Sequence, residues 1–233
     1  MRAGRTGKRV RPKPPAPPEA AQITDIVRGK LAELGLSAAV FGVWRDKQQI
    51  ALGAVGDSPL GDLISQYVLD PLGMKQTEVV LTAQIDEPIL HGYTDERKIF
   101  EDATFWNPTA FLHSGNMNST IADIGRWVRA LGKGELLSPS RFQQMMAPST
   151  AGLGPLTTQK YFAFGVPHLA DWLFMNPAYG GYNGVAFYDT KTATTIVVYA
   201  TLGPTADADR DNAIPIGEAI ATLLVPDRPP QVP

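Results

Sequence analysis

Few side chains in this sequence have the types and spacing that catalysis demands. His113-Ser114-Gly115 sets a hydroxyl beside an imidazole, the residue types of a base-activated nucleophile. Adjacent side chains in an extended segment point apart, so the two would not share one proton, and the tripeptide reads as a polar loop. His91 and His168 stand alone, as surface or satisfied core histidines do. No His-x-His or His-Glu-x-x-His pattern offers a zinc site. Asp207, Asp209, Asp211, Ile214 and Glu218 match positions one, three, five, eight and twelve of an EF-hand calcium loop. Asn212 replaces that loop's glycine, a strand leads in where a helix should, and Pro215 puts Glu218 inside the last helix. These acids are therefore expected to form a loop capping that helix, and no metal or cofactor is expected.

The elements that could position such groups are those of an ordinary soluble globular chain. No apolar run has the length of a membrane span or the shape of a secretory signal. The default compartment is the cytoplasm, with a mature or engineered piece of an exported protein as the alternative. Cysteine is absent, which excludes disulfides and thiolate metal sites. Arg2, Arg5, Lys8, Arg9, Arg11 and Lys13 precede the first acid, Glu19, among prolines from Pro12 to Pro18. These are six of the 21 cations, so the body has 15 against 23 acids, about eight net negative. Residues 1–19 read as an extended basic, Pro-rich tail, and the acidic body excludes a nucleic-acid-binding domain.

Ile23, Ile26, Val27, Lys30, Leu31 and Leu34 recur at helical spacing before Gly35. Ala38 to Trp44 and Gln49 to Val55 form a hairpin across Arg45-Asp46-Lys47-Gln48. Ser58-Pro59 caps a helix carrying Leu60, Leu63, Ile64, Tyr67 and Val68, closed by Pro71 and Gly73. Loops with short strands fill Thr77 to Thr109. Thr120 and Asp123 make a capping-box start, worth about 1 kcal/mol, to a helix burying Ile121, Ile124, Trp127, Val128 and Leu131. Ser138-Pro139 opens another, stopped at Pro148. Strands follow at Tyr161 to Val166, Trp172 to Met175, Tyr182 to Tyr188 and Thr194 to Thr201. A last helix carries Ile216, Ile220, Leu223 and Leu224. The predicted class is α+β: an antiparallel sheet built from N- and C-terminal strands, covered on one face by the terminal helices, with a reduced helical middle.

The run Ser119-Thr120-Ile121-Ala122-Asp123-Ile124-Gly125-Arg126-Trp127, continuing through Ser138-Pro139-Ser140-Arg141-Phe142 to Met145-Met146-Ala147-Pro148, resembles the helix pair of the serine β-lactamase and D-alanyl-D-alanine peptidase-like hydrolases. Leu60-Gly61-Asp62-Leu63-Ile64 through Leu69-Asp70-Pro71-Leu72-Gly73-Met74 resembles a second segment of that family, and His91-Gly92-Tyr93 a third phrase. The resemblance implies attack on an acyl carbon by a serine one helical turn before a lysine, a tyrosine for proton transfer, and a Lys/His-Thr/Ser-Gly strip on a strand where substrate lies.

The reactive motifs are missing. No serine has lysine three residues later; the nearest is Ser138 with Arg141, whose guanidinium stays protonated. No Tyr-x-Asn occurs, and Tyr93-Thr94-Asp95 lies after the segment that this motif should precede. Val55-Gly56-Asp57 runs straight into Pro59-Leu60-Gly61, where the family has roughly a hundred residues between. The segment 20–226 thus reads as one β-lactamase-like domain with a block absent near 57–60, followed by a tail, 227–233. Evolutionary loss, design and a faulty gene model would each leave such a junction. Gly181-Tyr182-Asn183 before Tyr188-Asp189 resembles the family's Gly-Tyr-Asn phrase, and counting back places Phe174-Met175-Asn176-Pro177 where His-Thr-Gly would stand. Phe174, Met175, Asn176, Gly181, Tyr182 and Asn183 are the expected binding-cleft strand.

Three readings follow: a shortened form of a serine hydrolase whose parent cleaves peptidoglycan-type peptides, β-lactams or small esters; a natural pseudoenzyme holding a small molecule, peptide or protein; and an active esterase using Ser114. Loss of a helical block exposes apolar surface at Leu60, Leu63, Ile64 and the 119–131 helix, which predicts self-association.

Overall fold

The structure is a computed structural model that describes residues 18–36, 38–46, 48–56, 60–108 and 115–232. Most of the expected basic tail, residues 1–17, lies outside the described residues. The chain divides into two compact units, residues 1–59 and 60–233. The division falls at the junction where two family-like phrases abut.

In the first unit, α1 (Pro18–Leu34) packs on a hairpin of β1 (Ala38–Arg45) and β2 (Gln48–Gly56). The hairpin register runs from Ala38 opposite Gly56 to Arg45 opposite Gln48, with a bulge between Val43 and Trp44. Leu31, Ile50, Ala51 and Val55 are buried, whereas Ile26 and Leu34 of the expected apolar stripe are exposed.

The second unit opens with α2 (Leu60–Ile64), a π-helical turn (Ser65–Leu69) and α3 (Asp70–Leu72), which Gly73 ends. The two-residue strands β3 (Glu78–Val79), β4 (Tyr93–Thr94), β5 (Glu101–Asp102) and β6 (Met117–Asn118) pair as β3 with β6 and β4 with β5. Then come α4 (Ile121–Lys133) and α5 (Pro139–Met146), and the strands β7 (Lys160–Phe162), β8 (Pro167–Leu169), β9 (Trp172–Met175), β10 (Ala178–Tyr179), β11 (Tyr182–Asp189) and β12 (Thr195–Thr201). The helix α6 (Ile214–Leu224) closes the order. Strands β7 to β12 form one six-stranded antiparallel sheet, in which β11 pairs β12 on one side and β9 and β10 on the other. The α+β class and antiparallel pairing are as expected from the sequence.

Both faces of this sheet are covered. Trp172, Phe174, Val185, Phe187 and Ile196 join Ala213, Ala221 and Val225 on the α6 side. Leu173, Ala186 and Tyr188 join Val128 on the other, with Ile124, Trp127 and Leu131 of α4 packed against them. The period-two alternation of β11 therefore sorts side chains between two cores, and every residue from Gly184 to Asp189 is buried.

The phase of α6 differs from the sequence expectation. Ala213, Gly217 and Ala221 face the sheet, while Ile216, Ile220, Leu223 and Leu224 are exposed. Close approach decides this, because a Cβ on Gly217 would stand 2.7 Å from Val185 Cγ1. Large side chains on that face would force the helix off the sheet.

Two buried carboxylates tie the unit together. Thr120 Oγ1 accepts the Asp123 N–H at 3.3 Å, half of the predicted capping box. The Asp123 carboxylate does not complete it. Instead it accepts Gln76 N–H at 2.8 Å, Thr77 Oγ1–H at 3.0 Å and Arg126 Nη1–H at 2.5 Å, fixing the turn after Gly73 to the start of α4.

Asp189, fully buried at the end of β11, receives both Arg228 Nη atoms at 2.7 Å, Lys191 N–H at 3.0 Å and Thr192 Oγ1–H at 2.5 Å. The Trp172 indole N–H donates to Arg228 O, and Val232 N–H to Glu218 Oε1. The segment expected as a tail, 227–233, is thus held to the sheet and α6 through its described residues. Burial alone would push the Asp189 carboxyl up, but Arg228, Thr192 and Lys191 outweigh it and hold it down at about 2, from the usual 3.8.

Asp123→Ala is expected to lower stability by about 2 kcal/mol, since it removes the acceptor of the Gln76 N–H, the Thr77 hydroxyl and Arg126, against about 1 kcal/mol for Thr120→Ala; urea midpoints measure both. Arg228→Ala should cost about 3–5 kcal/mol by leaving Asp189 buried without its cation. A depressed folded pKa gives stability that is present above the unfolded value and lost as pH falls through the folded one. The wild type should therefore lose up to about 2 kcal/mol between pH 4 and 2 through Asp189. Urea midpoints taken across that window for wild type and the Arg228 variant measure the loss.

Candidate functional site

Three serine hydroxyls in the described part of the chain are engaged in structure. Ser119 Oγ lies 2.8 Å from Thr77 Oγ1, Ser138 Oγ accepts the Arg141 N–H that starts α5, and Ser149 Oγ donates to Phe162 O. His113 and Ser114 lie outside the described residues. His168 is buried, stacked on Tyr161 at 4.5 Å with Nε2 3.4 Å from Met146 Sδ, and burial lowers its pKa.

The strand expected to line a cleft is split in role. Phe174 is buried on the α6 side and Met175 packs toward α4, while Asn176 is exposed. Gly180 and Gly181 make the two-residue turn between β10 and β11, with φ of 55° and 82°. Tyr182 OH donates to Leu90 O at 2.6 Å, and Asn183 Oδ1 accepts Asn212 N–H at 3.2 Å. These last two residues are occupied as ties to neighbouring loops.

The backbone of Phe174 and Asn176 is differently placed. Gly184 N–H donates to Pro177 O and Thr190 N–H to Asp171 O, which fixes the ladder phase so that odd residues of β9 bond to β11. Phe174 and Asn176 therefore turn their N–H and C=O to the other edge. There β8 pairs Trp172 and Leu173, and Pro167 stands next in the register, opposite Phe174, with a C=O to accept but no N–H to donate, so only Asn176 runs past β8.

A cleft of about 470 Å³ lies between α4 and β12, lined by Ile121, Gly125, Arg126, Arg129, Thr195 and Val197. Thr195 Oγ1 is buried there without a hydrogen-bond partner. The lining offers two guanidiniums and a hydroxyl but no general base, because arginine keeps its proton. Sequence reading missed this cleft, although Ile121, Gly125 and Arg129 share one helical face at i, i+4 spacing.

The acids proposed from EF-hand spacing serve the backbone. Asp207 Oδ1 accepts Asp209 N–H, Asp211 Oδ1 accepts Ala213 N–H at the entry to α6, and Glu218 holds Val232. Among the described residues, no three His, Cys, Asp or Glu side chains gather as metal ligands, and no helix is long and apolar enough to cross a membrane. His91, expected to stand alone, instead bonds both Asp102 and Glu87, because the β4–β5 pair brings Tyr93 opposite Asp102.

Comparison with solved structures finds the same fold in D-amino acid amidase from Ochrobactrum anthropi SV3 complexed with L-phenylalanine amide (TM-score 0.55, 20% identity, 72% of this chain and 51% of that one). A D-stereospecific amidohydrolase from Streptomyces sp. gives TM-score 0.55 at 18% identity, over 62% of this chain and 44% of that one. The octameric penicillin-binding protein homologue from Pyrococcus abyssi gives 0.55 at 14% identity, over 70% and 37%. The match thus spans about half or less of each of these proteins. A comparison with curated protein sequences finds no match. The family model described as Beta-lactamase matches residues 48–220, on both sides of the 57–60 junction. With that match over most of its length, the chain belongs to the Beta-lactamase family.

Proposed function

We propose that this chain is a β-lactamase-family scaffold that binds a ligand without acyl-serine hydrolysis. The observation that carries this reading is chemical: the sequence has no Ser-x-x-Lys and no Tyr-x-Asn, and Phe174-Met175-Asn176 stands where the family's third motif would be. A serine hydroxyl without a lysine or histidine to take its proton is a poor nucleophile near neutral pH. The bond of Ser119 to Thr77 and the capping role of Ser138 support the same reading. The parent reaction is cleavage of an amide or ester, which the amidases among the structural neighbours support. The ligand retained is an extended peptide or small acyl compound beside Asn176, where the chain runs past the end of β8 and its outward backbone groups favour strand addition. The junction near residues 57–60 is where the catalytic block of the parent is absent, as a truncation or as a natural pseudoenzyme.

The intact protein is expected to gain no mass with a fluorophosphonate or a β-lactam. A saturable, stoichiometric serine adduct, at Ser114 or elsewhere, would mean that the chain is an active esterase or amidase.

Self-association belongs to the same reading. None of the residues of α2 is buried, Leu60, Leu63 and Tyr67 are 41%, 37% and 63% exposed, and Ile121 at the start of α4 is 52% exposed. Such a surface favours an interface. Sedimentation velocity should show a concentration-dependent rise in mass, reduced by Leu63→Glu; a strict monomer at high concentration would count against the interface.

A further inference from the structure

His91 lies outside the family chemistry and is built into an unusual bracket. Its Nδ1 is 2.9 Å from Asp102 Oδ2 and its Nε2 is 3.1 Å from Glu87 Oε1. A neutral imidazole has one N–H, so it can satisfy only one of these carboxylates and turns a lone pair on the other; the imidazolium donates to both. The ring also stacks on Tyr93, with centroids 6.2 Å apart, and meets the edge of Phe105 at the same distance. Glu87 reaches it from the preceding turn and Asp102 from β5. Thr104 Oγ1 lies 3.4 Å from Nδ1, and the Tyr182 phenol of β11, kept neutral by burial, stands nearest Asp102.

This bracket sits at the centre of the segment that docks on the sheet. Gly92 N–H donates to Thr104 Oγ1 and Ala103 N–H to Gly92 O, closing the segment on itself. Tyr93 N–H donates to Thr201 Oγ1 of β12, and Tyr182 OH reaches Leu90 O. We propose that His91 is a pH-operated latch: its protonated ring joins Glu87 to Asp102 and holds residues 87–104 down on the β10–β11 turn and β12, and loss of that proton loosens them.

The electrostatics run in the same direction. Hydrogen bonds that His91 donates to Asp102 and Glu87 raise its pKa, and the Thr104 hydroxyl and N–H help hold Asp102 ionised. A raised folded pKa gives holding that is complete below the ordinary 6.5 and lost as pH climbs through the raised value. The latch therefore closes in acid and opens on the alkaline side. It stands independently of whether the chain hydrolyses anything.

The test is an imidazole NMR titration of the full chain, with the His91 signal assigned by its loss in His91→Gln, combined with amide hydrogen exchange corrected for intrinsic rate. The His91 midpoint should lie above 6.5 and move down in both Glu87→Gln and Asp102→Asn. Protection of the Tyr93 and Ala103 amides should fall roughly tenfold across that titration in wild type and stay flat in His91→Gln. A midpoint at or below 6.5, or wild-type protection that does not follow the titration, would overturn the latch. If His91→Gln fails to fold, the midpoints of the two carboxylate variants and the wild-type exchange profile decide the matter.

Discussion

The second unit depends on one constraint, the burial of β11 on both faces. A strand enclosed by α6 on one side and α4 on the other leaves no room for a polar side chain along its middle. Each helix must approach to a fixed depth, and the small face of α6 is the result. The one charged residue in the run, Asp189, is tolerated because four donors converge on it.

The motif that announces the family turns out to be a fastening. In Ser119-Thr120-Ile121-Ala122-Asp123, threonine caps α4, serine binds Thr77, and aspartate reaches out of the helix to the backbone after Gly73. Two family-like phrases that are far apart in sequence, Pro71-Leu72-Gly73-Met74 and Ser119 to Trp127, are thereby one structural device. A device of this kind can persist without any demand from catalysis, because removing the carboxylate would cost three hydrogen bonds that join the turn after Gly73 to α4.

Much of the fold was legible because its signals are local. Thr120 and Ser138 as caps, and β9 from Trp172 to Met175, follow from residue type and spacing alone. The errors arose where a tertiary approach overrode the local pattern. The large apolar residues of α6 suggested its inner face, yet the sheet demanded the small ones. Strand β8 went unread because Pro167 looks like punctuation, and His91 looked solitary because its partner Asp102 arrives through strand pairing eleven residues on. The chemistry of the site was legible mainly as a lack of motifs, while the point at which the chain runs past β8, at Asn176, needed the strand register that only coordinates supply.

The Arg228 to Asp189 pair has a consequence for synthesis. The carboxylate that closes β11 leaves the ribosome 39 residues before the guanidinium that neutralises it. Until then the strand cannot settle between its two helices without enclosing an uncompensated charge, so the order of translation sets when the sheet can lock. The core of the sheet is thus completed by a residue beyond its last helix.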